Sequence, residues 1–111
     1  MVVKLKNFGG YAIGSDGSIY SVTKDNRLKE KALRPDKDGY IVVKLCFNGK
    51  PKLCKVHRLV AEAFIPKVEN KPVVNHKNGQ RNDNRVENLE WVTVQENNQH
   101  AYSSNGRIGL S

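Results

Sequence analysis

Several residue types are scarce in this 111-residue chain, and each shortage excludes a class of protein. The chain has only two cysteines and one tryptophan, and aromatic residues make up 7% of it. Two cysteines are too few for a disulfide-stapled domain or a four-cysteine zinc ribbon. No run of roughly 18 apolar residues occurs, so we expect no membrane span, and the N-terminal apolar stretch is too short for a signal peptide. We therefore expect a cytoplasmic protein with reduced thiols.

Acidic residues are also in short supply. There are 11 Asp and Glu against 19 Lys and Arg, which gives a net charge of +8. Such a balance predicts attraction to a polyanion and salt-dependent affinity. Charge alone does not distinguish this from a merely soluble basic protein. The hydrophobic content of 38% supports a modest core, in one domain or in two small lobes that share a core.

The first part of the chain reads as hairpins. Tyr11–Ile13 and Ser18–Ser21 flank a glycine-containing turn, Gly14–Gly17, which predicts a short β-hairpin. Residues 23–38 are polar and rich in Lys and Arg, and we expect a loop there with a brief helical turn around Leu28–Ala32.

The strongest strand signal is Tyr40–Phe47, which leads into Asn48-Gly49, a strong hairpin-turn signal. A two-residue turn there sets Phe47 opposite Lys50 and Val43 opposite Cys54. The two cysteines, Cys46 and Cys54, then point to opposite faces, so they neither bridge nor share a metal. The outer face gathers Lys44, Lys55 and Tyr40, a basic surface that can lie against a DNA groove.

Val56–Ile65 is predicted to be a helix that ends before Pro66. Its first turn carries His57, for which packing or capping is a better interpretation than catalysis, and Arg58, which is placed to reach a phosphate. Its predicted apolar face consists of Leu59, Val60, Ala63 and Phe64.

The stretch 73–97 carries the chemistry. A strand runs through Val73-Val74 into Asn75-His76, a polar loop follows, Leu89–Val92 is a second strand, and a helix starts at Thr93. Thr93 and Glu96 have the spacing of a capping box. Asn97 then falls on the inward face of this helix, where its amide needs a partner, either a metal or the loop backbone. His76 is a base of near-neutral pKa at a strand end. Such a unit suits metal-assisted attack on a phosphodiester.

Several separated motifs occur in one order along residues 56–97: VHRLVAEAF at Val56–Phe64, Asn75-His76, Asn84-Arg85, Asn88-Leu89, Trp91-Val92 and Asn97. With these motifs, residues 56–97 resemble the HNH endonucleases of the phage and intron homing type. Gly10–Ser21 is similar to the modular DNA-binding segment that often precedes this nuclease unit, and the whole likeness extends to about His100. It implies an α+β fold in which small antiparallel hairpins precede a ββα-metal (His-Me finger) HNH motif. We expect a β-rich DNA-contacting segment at 1–55, a nuclease domain at 56–102 and a loose tail at 103–111.

We assign His76 the role of general base, and Asn75 and Asn97 the role of oxygen ligands to a single Mg²⁺ or Mn²⁺. In the family that the chain resembles, the residue before the base and the helix residue are the metal ligands. Asn88 matches the middle Asn of the HNH pattern, which ties the loop together and orients the base. Many relatives have Asp where this chain has Asn75, and a neutral amide oxygen binds a hard cation more weakly than a carboxylate.

The expected partner is double-stranded DNA, nicked or cut by a monomer or a homodimer without a small-molecule cofactor. If the chain is phage-encoded, it would act in the host cytoplasm. The alternative is a DNA-binding module whose Asn75 site is inactive, and a third reading is an RNA-directed nuclease. Asn82, Asp83 and Asn84 are expected to shape the loop by bonds to its backbone. The candidate DNA-binding residues are Lys44, Lys55, Arg58, Arg81 and Arg85.

Overall fold

The computed structural model describes residues 1–6 and 8–97, which form an α+β arrangement of short antiparallel strands around one nine-residue helix. The predicted tail at 103–111 lies outside the described residues. No helix in the described part is long and apolar enough to cross a membrane. In chain order the elements are β1 (Val2–Lys4), β2 (Tyr11–Gly14), β3 (Ile19–Val22), β4 (Leu28–Glu30), β5 (Arg34–Pro35), β6 (Ile41–Phe47), β7 (Lys50–Lys55), α1 (Val56–Phe64), β8 (Val73–His76), a short 3-10 helix (Val86–Asn88) and β9 (Leu89–Val92).

The N-terminal sheet has the strand order β1-β2-β3-β4. The predicted β2–β3 hairpin is present, with Ile13 paired to Ile19. The helical turn expected around Leu28–Ala32 is wrong, because Leu28–Glu30 is strand β4 and pairs with β3. A turn that contains Asn26 with a φ of 64° returns the chain to the open edge of β3. The edge of β3 supplies hydrogen-bond partners for the backbone of β4, and this pairing outweighs the local helical preference of the segment.

The second sheet has the order β5-β6-β7. Asn48 and Gly49 both have positive φ, 51° and 78°, as a type I′ turn requires. The predicted register is confirmed, with Phe47 opposite Lys50 and Val43 opposite Cys54. Cys54 is therefore buried and Cys46 exposed, on opposite faces of the sheet.

Helix α1 ends at Phe64, one residue before the prediction, and the amide of Ile65 caps it by donating to the Ala61 carbonyl oxygen at 3.0 Å. Its buried surface includes Ala61, whereas Ala63 is exposed, so the predicted apolar face is wrong at that position. The buried residues of α1 all lie between Val56 and Ala61, before the position of Ala63. Ala63 instead lines a surface pocket beside β1.

One hydrophobic core joins the two predicted domains. It includes Ile13 and Ile19 from the N-terminal sheet, Leu45 from β6, Val60 from α1 and Trp91 from β9. The Trp91 indole Nε1 donates a hydrogen bond of 3.1 Å to the Ile65 carbonyl oxygen, which ties β9 to the end of α1. The proposed division at residue 55 therefore passes through a shared core.

Strands β8 and β9 form a separate two-stranded antiparallel sheet, followed by helical residues 94–97. His76 pairs with Leu89, and Asn75 pairs with Glu90, so Asn75 and His76 lie on opposite faces as strand alternation predicts. The predicted capping box is confirmed. Thr93 Oγ1 accepts from the Glu96 amide, and Glu96 Oε1 accepts from the Thr93 amide, both at 3.0 Å.

Candidate active site

Asn75 faces Glu90 across the β8–β9 pair. Its Nδ2 donates a hydrogen bond of 2.8 Å to the Glu90 carboxylate. An ionised carboxylate only accepts, so this contact fixes which end of the carboxamide is nitrogen. The Asn75 oxygen is therefore directed away from Glu90. Glu90 was not anticipated from the sequence.

His76 lies at the end of β8 and is only 6% exposed. Its Nε2 is 2.8 Å from Asn84 Oδ1. An amide oxygen accepts, so the neutral ring carries its proton on Nε2 and its lone pair on Nδ1. Burial lowers the pKa of His76 below its usual value, and the bond to Asn84 partly opposes that shift. Asn84 was expected to bond to the loop backbone, and its side chain contacts this imidazole instead.

A column of three rings supports His76. The His57 ring centroid lies 4.9 Å from that of His76, and the Tyr40 ring stacks on His57 at 5.2 Å. Burial, followed by repulsion from His76, lowers the pKa of His57 to about 3. His57 Nδ1 is buried and has no hydrogen-bond partner among the described residues. His57 is thus a packing residue of the column, as its sequence position favoured.

Asn88 holds the loop between β8 and β9. Its Oδ1 accepts from the Asn78 amide at 3.1 Å, and its Nδ2 donates to Asn78 Oδ1 at 3.0 Å and to the Asp83 carbonyl oxygen at 2.8 Å. Asp83 in turn receives two hydrogen bonds from Arg85, of 2.8 and 2.7 Å, which hold the pKa of its carboxyl well below the usual range. The loop that follows the candidate base is therefore internally bonded.

The donor chemistry decides whether a metal suits this place. Within residues 1–6 and 8–97, no group of three or more His, Cys, Asp and Glu residues is arranged to hold one. Carboxamide oxygens are hard donors of the type that Mg²⁺ accepts. Asn75 fits this role, because Glu90 accepts from its Nδ2 and leaves its oxygen as the donor atom for a cation. Half-buried Asn97 lies one turn into the helix that follows β9, with its amide bonded to the Thr93 carbonyl oxygen at 3.0 Å.

The basic residues predicted to bind DNA differ in availability. Lys44, Lys55 and Arg58 are exposed, and the Lys55 ammonium lies 4.5 Å from the Tyr40 ring centroid. Arg81 donates to the Asp38 carbonyl oxygen at 2.6 Å, which links the loop to the residues before β6. Arg85 is paired with Asp83 and lies 3.7 Å from Glu87, so carboxylates already compensate its charge.

The site thus combines a ββα unit, a histidine at the end of its first strand and a carboxamide beside that histidine. This arrangement defines a nuclease-type ββα motif, and a sequence profile described as HNH endonuclease matches residues 54–99. Residues 54–99 of the chain belong to the HNH endonuclease family.

Individual relatives agree with this assignment. The chain is 40% identical over 110 residues to an uncharacterized HNH endonuclease, L247, of Acanthamoeba polyphaga mimivirus, covering 93% of this chain and 26% of that protein. It is 38% identical over 103 residues to the DNA endonuclease I-HmuI of Bacillus phage SP01, covering 93% of this chain and 57% of that protein. The chain therefore spans about half or less of these relatives.

The chain is also similar to a solved structure that describes DNA binding and cleavage by the HNH homing endonuclease I-HmuI. The TM-score is 0.81 at 35% identity, over 99% of this chain and 62% of that one. The likeness therefore includes the N-terminal sheets as well as the ββα unit.

Proposed function

We propose that the chain is a metal-dependent endonuclease that hydrolyses phosphodiester bonds of double-stranded DNA, by nicking or cutting. The observation that carries the proposal is the fixed His76 ring. Its Nε2–H is held by Asn84, so the Nδ1 lone pair is the one left to act as a base. The relatives that are named DNA endonucleases support the choice of substrate.

His76 takes the proton of the attacking water. Burial lowers the pKa of His76 and so favours the neutral ring, which is the form that accepts a proton. A positioned general base typically contributes about 10²–10⁴ in rate. Asn88 contributes indirectly, since its three hydrogen bonds hold the loop that carries Asn84.

Asn75 and Asn97 are the residues that would hold the divalent cation, Mg²⁺ or Mn²⁺. When bound, it supplies Lewis-acid stabilisation of the phosphate and of the leaving oxygen. Glu90 fixes the orientation of Asn75 by accepting its Nδ2 hydrogen. Two neutral amides bind such a cation weakly, so we expect substrate phosphate to contribute to its affinity.

Exposed basic residues provide the attraction to the DNA backbone. Lys44, Lys55 and Arg58 have exposed side chains that are open to phosphate. The net charge of +8 favours long-range association with a polyanion. An unpaired Arg or Lys that neutralises one phosphate adds roughly one unit to the slope of log K for DNA binding against log salt concentration.

Conversion of supercoiled plasmid in Mg²⁺ tests the proposal. Wild type should relax the plasmid, chelation should stop it, and His76→Ala should slow it by about 10²-fold or more. Asn82→Ala is the matched control, because Asn82 is an exposed amide of the same loop. Equal conversion by wild type and His76→Ala would contradict the catalytic role.

The burial of His76 favours a second candidate, a DNA-binding module without cleavage. With 6% of its surface exposed, His76 has little room for a water unless DNA binding opens the site. The module would retard duplex DNA in a gel yet leave plasmid supercoiled at every Mg²⁺ and Mn²⁺ concentration. A parallel incubation with duplex RNA distinguishes DNA from RNA as the substrate.

A further inference from the structure

The N-terminal hairpin turn lies directly against the loop of the candidate active site. The turn is Gly14–Ser18, between β2 and β3, and the loop residues concerned are Asn84 and Val86. The Val86 amide donates a hydrogen bond of 2.8 Å to the Ser15 carbonyl oxygen. A segment some 70 residues away in sequence is therefore bonded to the backbone beside Asn84.

Gly17 makes the closest approach. Its φ of +92° is a left-handed conformation that favours glycine, and a Cβ added there would lie 3.1 Å from Asn84 Cβ and 3.3 Å from the Asn84 carbonyl oxygen. Gly17 is buried at this contact. No side chain fits between the turn and Asn84 without displacing one of them.

Three hydrogen bonds hold the turn in place. The Gly14 amide donates to the Ser18 carbonyl oxygen at 2.8 Å, and the Gly17 amide donates to the Gly14 carbonyl oxygen at 3.0 Å. The Asp16 carboxylate accepts from the Ser18 amide at 3.0 Å. These bonds hold the turn in the conformation that brings the Gly17 backbone against Asn84.

Asn84 transmits the contact to the candidate base. Its side chain is buried, with Oδ1 2.8 Å from His76 Nε2. We propose that the Gly14–Ser18 turn is a positioning element of the active site, which holds Asn84 against His76 and so fixes the imidazole orientation and tautomer. This inference rests on the proposed role of His76 as the base. It gives the glycine-containing turn, whose sequence suggested only DNA contact, a second role inside the nuclease unit.

The other groups around His76 are independent of this turn. His57 from α1 and Tyr40, the residue before β6, contact its ring. Arg81 and Asp83 of the loop act on it electrostatically. A substitution at Gly17 changes none of these residues. Its effect on His76 therefore travels through Asn84.

The test compares Gly17→Ala with Gly10→Ala in the full chain. Gly10 also has a positive φ, +87°, yet nothing lies within 4 Å of an added Cβ. Both variants bear similar backbone strain, and only Gly17→Ala presses on Asn84. The ring ¹⁵N shifts of His76, recorded without metal at a pH where the ring is neutral, report its tautomer. Wild type and Gly10→Ala should show the Nε2–H form, and Gly17→Ala a mixture of both tautomers.

Kinetics supply the second readout. We expect Gly17→Ala to lower kcat by about ten- to a hundred-fold with KM for DNA within two-fold of wild type, because the base is misplaced while the basic surface is intact. Gly10→Ala should retain wild-type kcat. A tautomer and kcat in Gly17→Ala equal to those of Gly10→Ala would overturn the inference.

Two outcomes need separate handling. If Gly17→Ala does not fold, Asp16→Ala loosens the same turn by removing the hydrogen bond from the Ser18 amide. Asp25→Ala, at an exposed position, is then the control. The His76 tautomer and kcat of these two variants decide in the same way. If wild type does not cleave DNA, the proposed function fails. The ¹⁵N comparison still decides whether the turn positions His76.

Discussion

Asn75 and Glu90 are bonded across the β8–β9 pair, with the amide nitrogen 2.8 Å from the carboxylate. Replacement Asn75→Asp would set two carboxylates at that distance. We expect it to lower the free energy of unfolding by about 1 kcal/mol in chelator, because like charges opposite each other on strands repel. A divalent cation should offset the repulsion, so Mg²⁺ should stabilise this variant more than wild type in urea unfolding.

The double variant Asn75→Asp, Glu90→Gln is the control. It retains a cross-strand amide–carboxylate contact with the partners exchanged, and its stability in chelator should return towards wild type. Cleavage at limiting Mg²⁺ should also rise in Asn75→Asp, because a carboxylate binds a hard cation more tightly than an amide. An identical Mg²⁺ response in wild type and Asn75→Asp would remove Asn75 from the ligand set.

His57 should make stability depend on pH. Burial lowers its pKa to about 3 in the folded chain, whereas an unfolded histidine titrates near 6.5. Between these values the unfolded chain binds a proton that the folded chain does not. The free energy of unfolding is therefore highest above pH 6.5 and falls on acidification, by at most about 1.4 kcal/mol per pH unit for this group.

The variant His57→Phe isolates that contribution. Phenylalanine retains the ring between Tyr40 and His76 and removes the unpartnered Nδ1. Urea unfolding at pH 7.5 and 5.5 should show a smaller loss of stability for the variant than for wild type. Parallel losses would show that His57 is not the group that titrates.

Asn88 should be important for loop stability. It is buried and makes three hydrogen bonds to Asn78 and Asp83, and Asn88→Ala leaves their polar groups unpaired. We expect a loss of about 1–3 kcal/mol in urea unfolding. Asn82→Ala, at an exposed position of the same loop, should stay within about 0.5 kcal/mol. Equal effects of the two variants would contradict the bracing role of Asn88.

Local patterns were sufficient for much of the fold. Asn48-Gly49 fixed a hairpin register, and the Thr93–Glu96 spacing predicted a cap, because both depend on interactions within a few residues. Strand β4 was missed since its stability comes from the edge of β3 rather than from its own residues. Sequence alternation also placed Asn75 and His76 on opposite faces before their strand partner was known.

The contacts of the site could not be derived in the same way. Glu90 meets Asn75 only because β8 and β9 pair in one register across a twelve-residue loop, and neither strand specifies that register alone. The column of Tyr40, His57 and His76 joins the residue before β6, helix α1 and strand β8. The spacing of the motif supplied the candidate site residues, and tertiary packing determined what their side chains contact.

Salt dependence separates the basic residues. Lys55→Ala should lower the slope of log K for DNA against log salt concentration by about one unit, if Lys55 contacts a phosphate. Arg85→Ala should change it less, because Asp83 and Glu87 already compensate the charge of Arg85. Binding measured from about 50 to 200 mM salt checks both. A larger effect of Arg85→Ala would mean that DNA displaces its carboxylate partners.

Trp91 is the only tryptophan in the chain, it is buried, and its indole is bonded to Ile65, the residue that follows α1. Fluorescence excited at the red edge of the protein absorption spectrum therefore comes from Trp91 alone, at the contact between β9 and the end of α1. Its emission should move to longer wavelength when that contact opens to water. Intrinsic tryptophan fluorescence is thus a probe of whether the ββα unit is folded. No added label is needed to follow the folding of that unit in the experiments above.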